Sequence, residues 1–593
     1  MDFRRLPQAV CREPSTVFTM LQNYFKIALR NLLKFKGYTA INIGGLAIGV
    51  AACLLILQFV TEEFSIDQHH TNAENIYRVD TEFTIGDQQF KSSSTPSPLA
   101  KAMQEDFPEV IQSARVYKVP DVSKWLLKYE NQSFFEKNGI FADSTLFDVL
   151  TFDFLKGDKS TALHQPFSVV LSDEIAKKLF ADADPIGQTI EINSSWGEND
   201  YQVTGIFDSK KYHSHLSGNF YVSGMSGNIG QRYYRLPEWG GNNLFYTYIK
   251  TSEGVKKEAI ESKLPAWIEG HAGERFRELG IGKSHYLTPI TDIYLRSESG
   301  NWFGDKGNIT FLYLLMSVAG FILLIACINF MNLATAKATL RAKEVGVRKV
   351  IGASRSMLIK QFMSEAFLYS SIAVVLAYVL SELCLPFFNQ MVGKELTGQL
   401  GNNGAIFGWL LGFILITTLV AGSYPALYLS SFSPAKIFKH NFGNKLSSQQ
   451  IRKGLVVLQF IISIALIQGI LVINEQMKFI NQQNLGFNHE AKIILPVNTY
   501  QVFEKINPLR NELLKNNQIK EVAATSNYAD GSNLESYMYF KEGQNPDEGF
   551  HALTTTVSPE YLEMMDFELA KGRFFDPNRL SDTTTTAVIS EMT

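Results

Sequence analysis

RAKEVGVRKVIGASRSMLIKQFMSEAFL, Arg341 to Leu368, is a basic amphipathic stretch held between two long apolar runs. Lys337, Arg341, Glu344 and Arg348 follow at steps of four, three and four, so on a helix they form one polar stripe that leaves Val345 and Val347 off it. Gly352 and Ala353 break the pattern. Ser354 is then positioned to N-cap a second helix, whose apolar positions Leu358, Phe362 and Phe367 lead into the next apolar run. The stretch predicts a helix, a tight corner and a second helix against the cytoplasmic face of a membrane.

The membrane is read from what flanks the stretch. Residues 38–61 carry no charge over 24 residues, enough to cross about 30 Å of hydrocarbon at about 1.5 Å per residue. Residues 309–333, 362–388, 405–429 and 454–474 are also long and apolar, Glu382 near the end of the third being expected at the interface. Basic residues crowd 1–37, the connector 334–361 and the linker 430–453, whereas the short loop 389–404 has only Lys394, beside Glu395. That asymmetry places the N-terminus in the cytoplasm and sends the long segments 62–308 and 475–593 outward. Lys26, Arg30 and Lys34 recur every four residues opposite Phe25, Leu29, Leu32 and Leu33, the pattern of an interfacial helix lying on membrane lipid. The fold class is therefore a polytopic α-helical membrane protein with mixed α/β extracytoplasmic domains.

Composition sets further bounds. A chain of 593 residues that is 46% hydrophobic exceeds one domain, and a net charge of −3 argues against a nucleic-acid partner. Cys11, Cys53, Cys327 and Cys384 lie in the N-terminal tail or in apolar runs, so neither outer segment has a disulfide, and the three in apolar runs are expected to pack as small apolar residues. Residues 1–19 lack the apolar core of a signal peptide, and Met20 is a plausible start.

The first outer segment reads as strands and helices around a core of its own. Ile76 to Val79 opens a strand, Leu99, Met103 and Phe107 mark a short helix stopped by Pro108, and VVLS followed by DEIAKKLF gives strand then helix. Asp184-Pro185-Ile186-Gly187 fits a type I turn leading into a hairpin, 189–193 with 201–207. An internal repeat is also visible: FADSTLFDVLTFDFLKG, Phe141 to Gly157, is echoed by SPEYLEMMDFELAKG, Ser558 to Gly572, and Val169 to Ser172 by Ala587 to Ser590. The second outer segment thus reads as a second, incomplete copy, expected to belong to a longer two-unit protein; the alternative is a divergent half with a natural end at Thr593.

In order and spacing, Arg341, Glu344, Gly346, Arg348, Lys349, Gly352, Ala353 and Ser354 resemble the signature between the second and third transmembrane helices of the MacB/FtsX-type permease family, membrane subunits of a class of ABC transporters. The resemblance extends to Leu21–Gly37, to the entry into the outer domain at Phe64–Asp80, and to the Asp-Pro-Ile-Gly turn with its hairpin, which is similar to the MacB-type periplasmic core domain. It implies a permease in the bacterial cytoplasmic (inner) membrane, driven by a separate cytoplasmic ABC ATPase dimer that pushes on the connector, with Glu344, Arg348 and Lys349 as charged contacts and Gly352 allowing the corner. It also implies outer domains that export or handle envelope substrates, with a periplasmic adaptor or an envelope hydrolase as a further partner. An FtsX-like regulator of a hydrolase and a membrane sensor without an ATPase are the alternatives.

No G-x-x-x-x-G-K-[ST], H-E-x-x-H or G-x-S-x-G occurs, so the chain is read as a non-enzyme that depends on a partner ATPase, with no cofactor and no catalytic residue. His69 and His70, being adjacent, make a poor metal pair. Gly45 with Gly49 and Gly408 with Gly412 are spaced for close helix approach, and Asn42, Asn329 and Asn332 for hydrogen bonds between helices.

Overall fold

The structure is a computed structural model that describes residues 26–593 except 86–87, 120–121, 241–242, 300–305, 337, 397–404, 432–445, 484–485, 489, 528–534, 540–549, 577, 584–585 and 591–593. Met20, Cys11, Lys337 and most of the linker 430–453 lie outside the described residues. Two compact units are formed: Met1–Glu63 with Ile309–Gln482, and Phe64–Asn308 with Gln483–Thr593.

The first unit contains five helices long and apolar enough to cross a membrane, Lys36–Ser65, Ile309–Ala336, Arg355–Val392, Ala405–Ser430 and Leu446–Gln482. Helices are the form these runs must take, because hydrocarbon offers the backbone no hydrogen-bond partner outside the segment. The first four share a core in which Leu46, Val50, Cys53, Cys327, Tyr369, Ala373 and Phe413 interdigitate. Small residues set the spacing: a Cβ on Gly49 would stand 2.8 Å from that of Ala326, and one on Gly422 2.7 Å from that of Ala366. Gly408 and Gly412, expected to do the same, meet nothing within 4 Å. Asn42 donates to Tyr38 one turn back in its own helix rather than across the bundle. Cys53 and Cys327 are buried as expected, Cys53 donating to the carbonyl of Ala319 at 3.1 Å, but Cys384 is exposed on its helix. At the far end of the first helix the buried carboxylate of Glu63 is paired with Lys394.

The second unit is built on a 14-stranded mixed sheet. Its order runs from Gly282–Pro289 through Ile76–Ile85, Asn243–Thr251, Val110–Tyr117, Gly139–Ala142, Phe220–Ser223, Ser168–Ser172, Gly197–Phe207, Thr189–Ser194 and Trp125–Tyr129 to Gln132–Glu136. The central strand Ser168–Ser172 is buried throughout, and Ser172 ends it by capping helix Asp173–Phe180, its hydroxyl accepting from the N–H of Ile175. The turn after that helix lies one residue later than expected. Gln188 donates to Pro185, and Gly187 takes the third position with φ +82°, a conformation glycine adopts without strain. In the repeat, the single helical turns Leu146–Val149 and Tyr561–Met564 are followed by glycines of matching conformation, Gly157 at φ +86° and Gly572 at φ +91°. Val169 and Leu171 are nonetheless fully buried, whereas Val588 and Ile589 are exposed.

Candidate functional site

The stretch between the second and third membrane helices folds as helix Ala338–Val350, a corner, and the start of helix Arg355–Val392. The corner is made by three consecutive residues with separate duties. Gly352 has φ +101°, and its N–H donates to Lys349 at 3.1 Å while the N–H of Ala353 donates to Arg348 at 2.9 Å. These are the two bonds of a Schellman motif, which satisfy carbonyls the helix end would leave open and need a glycine at this position. Ser354 then starts the next helix, its hydroxyl accepting from the N–H of Met357 at 3.3 Å. The Gly-Ala-Ser order is thus one helix stop and one helix start with no spare residue between them.

The connector helix has two unlike faces. Val345 and Gly346 are buried, and Val345 packs with Leu358, Phe362, Ala426 and Leu429. Arg348 reaches Glu344 one turn back at 2.6 Å and also donates to Gln361, a buried polar residue of the following helix. Lys349 donates to the carbonyl of Ser430 at 2.6 Å, the last residue of helix Ala405–Ser430. A cation is well placed there, because the final carbonyls of a helix carry partial negative charge and lack intrahelical donors. Of the charged residues expected at an intermolecular contact, two are therefore engaged within this unit. Glu344 sits half exposed at the edge. Arg341 lies on the same helix, two turns before Arg348.

The outward face is apolar. Val347, Val350 and Ile351, at steps of three and one, are 50%, 66% and 80% exposed. Gln361, Ser430 and this apolar tip were not anticipated from sequence. Gln361, standing between Lys360 and Ser364 in a mixed helical turn, carries no distinguishing signal, and neither does a backbone carbonyl such as that of Ser430. Lys26, Arg30 and Lys34 are exposed along a helix over 26–34.

His69 stacks on Tyr212 with ring centroids 4.4 Å apart and tilts against His70 at 4.0 Å. Among the described residues no group of three His, Cys, Asp or Glu side chains is arranged to hold a metal.

Compared with known proteins, residues 39–266 match the model of the MacB-like periplasmic core domain and residues 316–434 that of the FtsX-like permease C-terminal domain. The chain thus carries a MacB-like periplasmic core domain and an FtsX-like permease domain. The FtsX-like match contains the whole connector, from Ala338 to Ser354. Among its relatives is the macrolide export ATP-binding/permease protein MacB of Aggregatibacter actinomycetemcomitans, 28% identical over 264 residues, which are 44% of this chain and 37% of that protein. Another is the ABC transporter permease YvrN of Bacillus subtilis, 22% identical over 444 residues, 70% of this chain and 99% of that protein. A solved structure of the periplasmic region of MacB from Actinobacillus actinomycetemcomitans is similar at 17% identity and a TM-score of 0.27, over 37% of this chain and 90% of that one. The chain spans about a third of the length of the MacB relatives it matches.

Proposed function

We propose that this MacB/FtsX-type protein relays ATP-driven motion from a separate cytoplasmic ABC ATPase dimer to its extracytoplasmic domains, for export or for handling substrates in the envelope. The observation that carries this reading is the connector. A rigid corner of Gly352, Ala353 and Ser354 presents Val347, Val350 and Ile351 outward, while Arg348 and Lys349 bind the helix to its own membrane unit. An exposed apolar tip on a braced helix suits insertion into a groove of a partner, and bracing lets a push on the tip move the membrane helices instead of bending the connector. Glu344 at the rim adds a charge for orientation. Arg341, Gly346 and the rest of the signature form the body of the same coupling element.

The excess of lysine and arginine in 1–37, 334–361 and 430–453 supports a cytoplasmic N-terminus in a bacterial inner membrane, with Lys26, Arg30 and Lys34 at the lipid surface. The absence of a phosphate-cradling motif from the sequence supports a partner that supplies the ATPase.

Co-purification of the tagged protein from its host membranes in mild detergent tests the reading. Recovery of a soluble ATPase with a P-loop supports it, and an adaptor or a hydrolase recovered alongside distinguishes export from regulation. Recovery of no ATPase, under conditions in which a known permease keeps its own, would overturn it in favour of a sensor.

A further inference from the structure

Where strand Gly282–Pro289 ends, the chain makes a tight turn, Ile290–Asp292, and then a single helical turn, Ile293–Arg296. Asp292 and Arg296 stand four residues apart, so they fall on one side of that turn and pair at 2.6 Å. They line a cavity of about 240 Å³ whose walls all belong to the outer unit. One water needs about 10–15 Å³ of such space, and sites for drug-sized ligands run from about 300 to 1,000 Å³, so the cavity suits a small organic ligand.

The lining combines three kinds of chemistry. Phe64, Ile66 and Leu295 supply apolar wall, and Asp292 and Arg296 are the charged residues among the described lining. Gln68 and Thr291 add neutral polar groups, and their side chains make no hydrogen bond to another described residue.

Residues beside the lining in sequence are engaged by protein instead. Asp67 is wholly buried and accepts from Ser214 and His215. Ser297 and Ser299 accept from the buried Arg78, which also donates to both oxygens of Asp80. The Asp292–Arg296 pair differs in being open, with 30% and 57% of the two side chains exposed. An ion pair in that setting contributes little by itself, so a ligand that brings both charges can part it and satisfy each end.

A ligand of one charge would meet one of these partners and strand the other. An ammonium with N–H groups fits the acceptor-only carboxylate of Asp292. The guanidinium of Arg296, the amide of Gln68 and the hydroxyl of Thr291 are then left to donate to the anion, which favours an acceptor-rich phosphate over a carboxylate. We propose that this cavity binds a small zwitterion, a phosphate joined to a primary ammonium by a short carbon chain, with the ammonium on Asp292 and the phosphate on Arg296, Gln68 and Thr291. Phe64 follows closely on the uncharged run 38–61, so the headgroup of a membrane phospholipid is one source of this chemistry and a dissolved phospho-amine is the other.

The test uses the full-length protein, purified in mild detergent and stripped of lipid. It is titrated calorimetrically with glycerophosphoethanolamine, with glycerophosphate, which lacks the ammonium, and with glycerophosphocholine, whose ammonium has no N–H. Native mass spectrometry then compares retention of added phosphatidylethanolamine and phosphatidylglycerol. Saturable binding of an ethanolamine probe at least tenfold tighter than its counterparts is expected, and Asp292→Asn and Arg296→Gln should each weaken it at least tenfold without lowering the unfolding temperature. Binding of the soluble probe supports a dissolved ligand as the source, and retention of phosphatidylethanolamine alone supports a membrane lipid. The site is overturned if neither ethanolamine probe binds, if glycerophosphate or phosphatidylglycerol binds as tightly, or if both variants bind like wild type.

Discussion

The ammonium of Lys349 closes the C-terminal end of helix Ala405–Ser430 by donating to the carbonyl of Ser430 at 2.6 Å. Beside it Val345 lies against Ala426 and Leu429 of the same helix. The connector is thereby fastened to the fourth membrane helix by a directed bond together with apolar packing.

Lys349→Met should loosen that fastening without unfolding the bundle. A charged hydrogen bond of this kind is worth about 1.5–3 kcal/mol before the packing of the methionine is counted. Hydrogen exchange of the amides over 345–353 is expected to quicken by about tenfold; unchanged protection would mean that Val345 alone holds the connector.

Replacing Gly352 tests the corner. At φ +101° any side chain is strained, by about 1–3 kcal/mol, although nothing lies within 4 Å of an added Cβ. Gly352→Ala should therefore lower the unfolding temperature through backbone conformation alone. Equal stability would show that the corner relaxes to another geometry, and ATPase stimulation in the same variant would reveal whether function tolerates it.

The apolar tip and the charge pair make opposite predictions. Val350→Glu with Ile351→Glu should reduce recovery of the partner ATPase at least tenfold while leaving membrane insertion intact. Glu344→Lys with Arg348→Glu reverses the pair but lets it re-form one helical turn apart, so recovery should persist. The converse pattern would assign the contact to the charges.

Acid should destabilise the outer unit in a defined window. Burial, helped by the nearby Lys283 charge, holds the imidazole of His285 down to about 3, and burial with the neighbouring His70 holds that of His69 down to about 4. Between the ordinary histidine value of about 6.5 and those lower values the unfolded chain binds protons that the folded one refuses. Stability consequently rises with pH across that range and is lost on acidification, by up to about 1.4 kcal/mol per pH unit for His285. Burial pushes the Asp67 carboxyl up, but the charge of His215 and hydrogen bonds from His215, His70 and Ser214 outweigh it and hold the group well below the usual range. Its contribution is present above the ordinary aspartate value and fades only below it, so the histidines dominate from pH 6.5 to 4. Thermal unfolding of His285→Gln across this range should show a shallower slope than wild type; an identical slope would remove His285 as the source.

Arg78→Met alone leaves Asp80 charged and buried, and should cost about 3–5 kcal/mol. Adding Asp80→Leu should recover part of that loss, because the second change removes the uncompensated charge. Denaturant unfolding of both variants gives the coupling directly, and additive losses would mean that the two side chains do not act as a pair.

What could be read from the chain alone was whatever depends on near neighbours. Apolar runs of membrane length with few or no charges must become helices in hydrocarbon, and five of them did. Gly352, Ala353 and Ser354 announced their corner because a helix stop and an N-cap are decided by backbone conformation and one side chain within a few residues. Strand Ile76–Ile85, helix Leu99–Asp106 and the repeat across Gly157 and Gly572 were legible for the same reason. Tertiary packing decided the rest. The spacing of Gly408 and Gly412 was indistinguishable from that of Gly45 and Gly49, yet a Cβ on Gly45 or Gly49 would meet Asn329 at 3.4 Å or Ala326 at 2.8 Å while one on Gly408 or Gly412 would meet nothing within 4 Å, because contact depends on which faces the bundle brings together. Arg348 and Lys349 turned inward once Gln361 and Ser430 had been carried to them. Asp67 found His215, 148 residues away, and Arg78 found Ser299, 221 residues away. A buried polar group must have a partner, but its own neighbourhood in sequence does not say which distant segment will supply one.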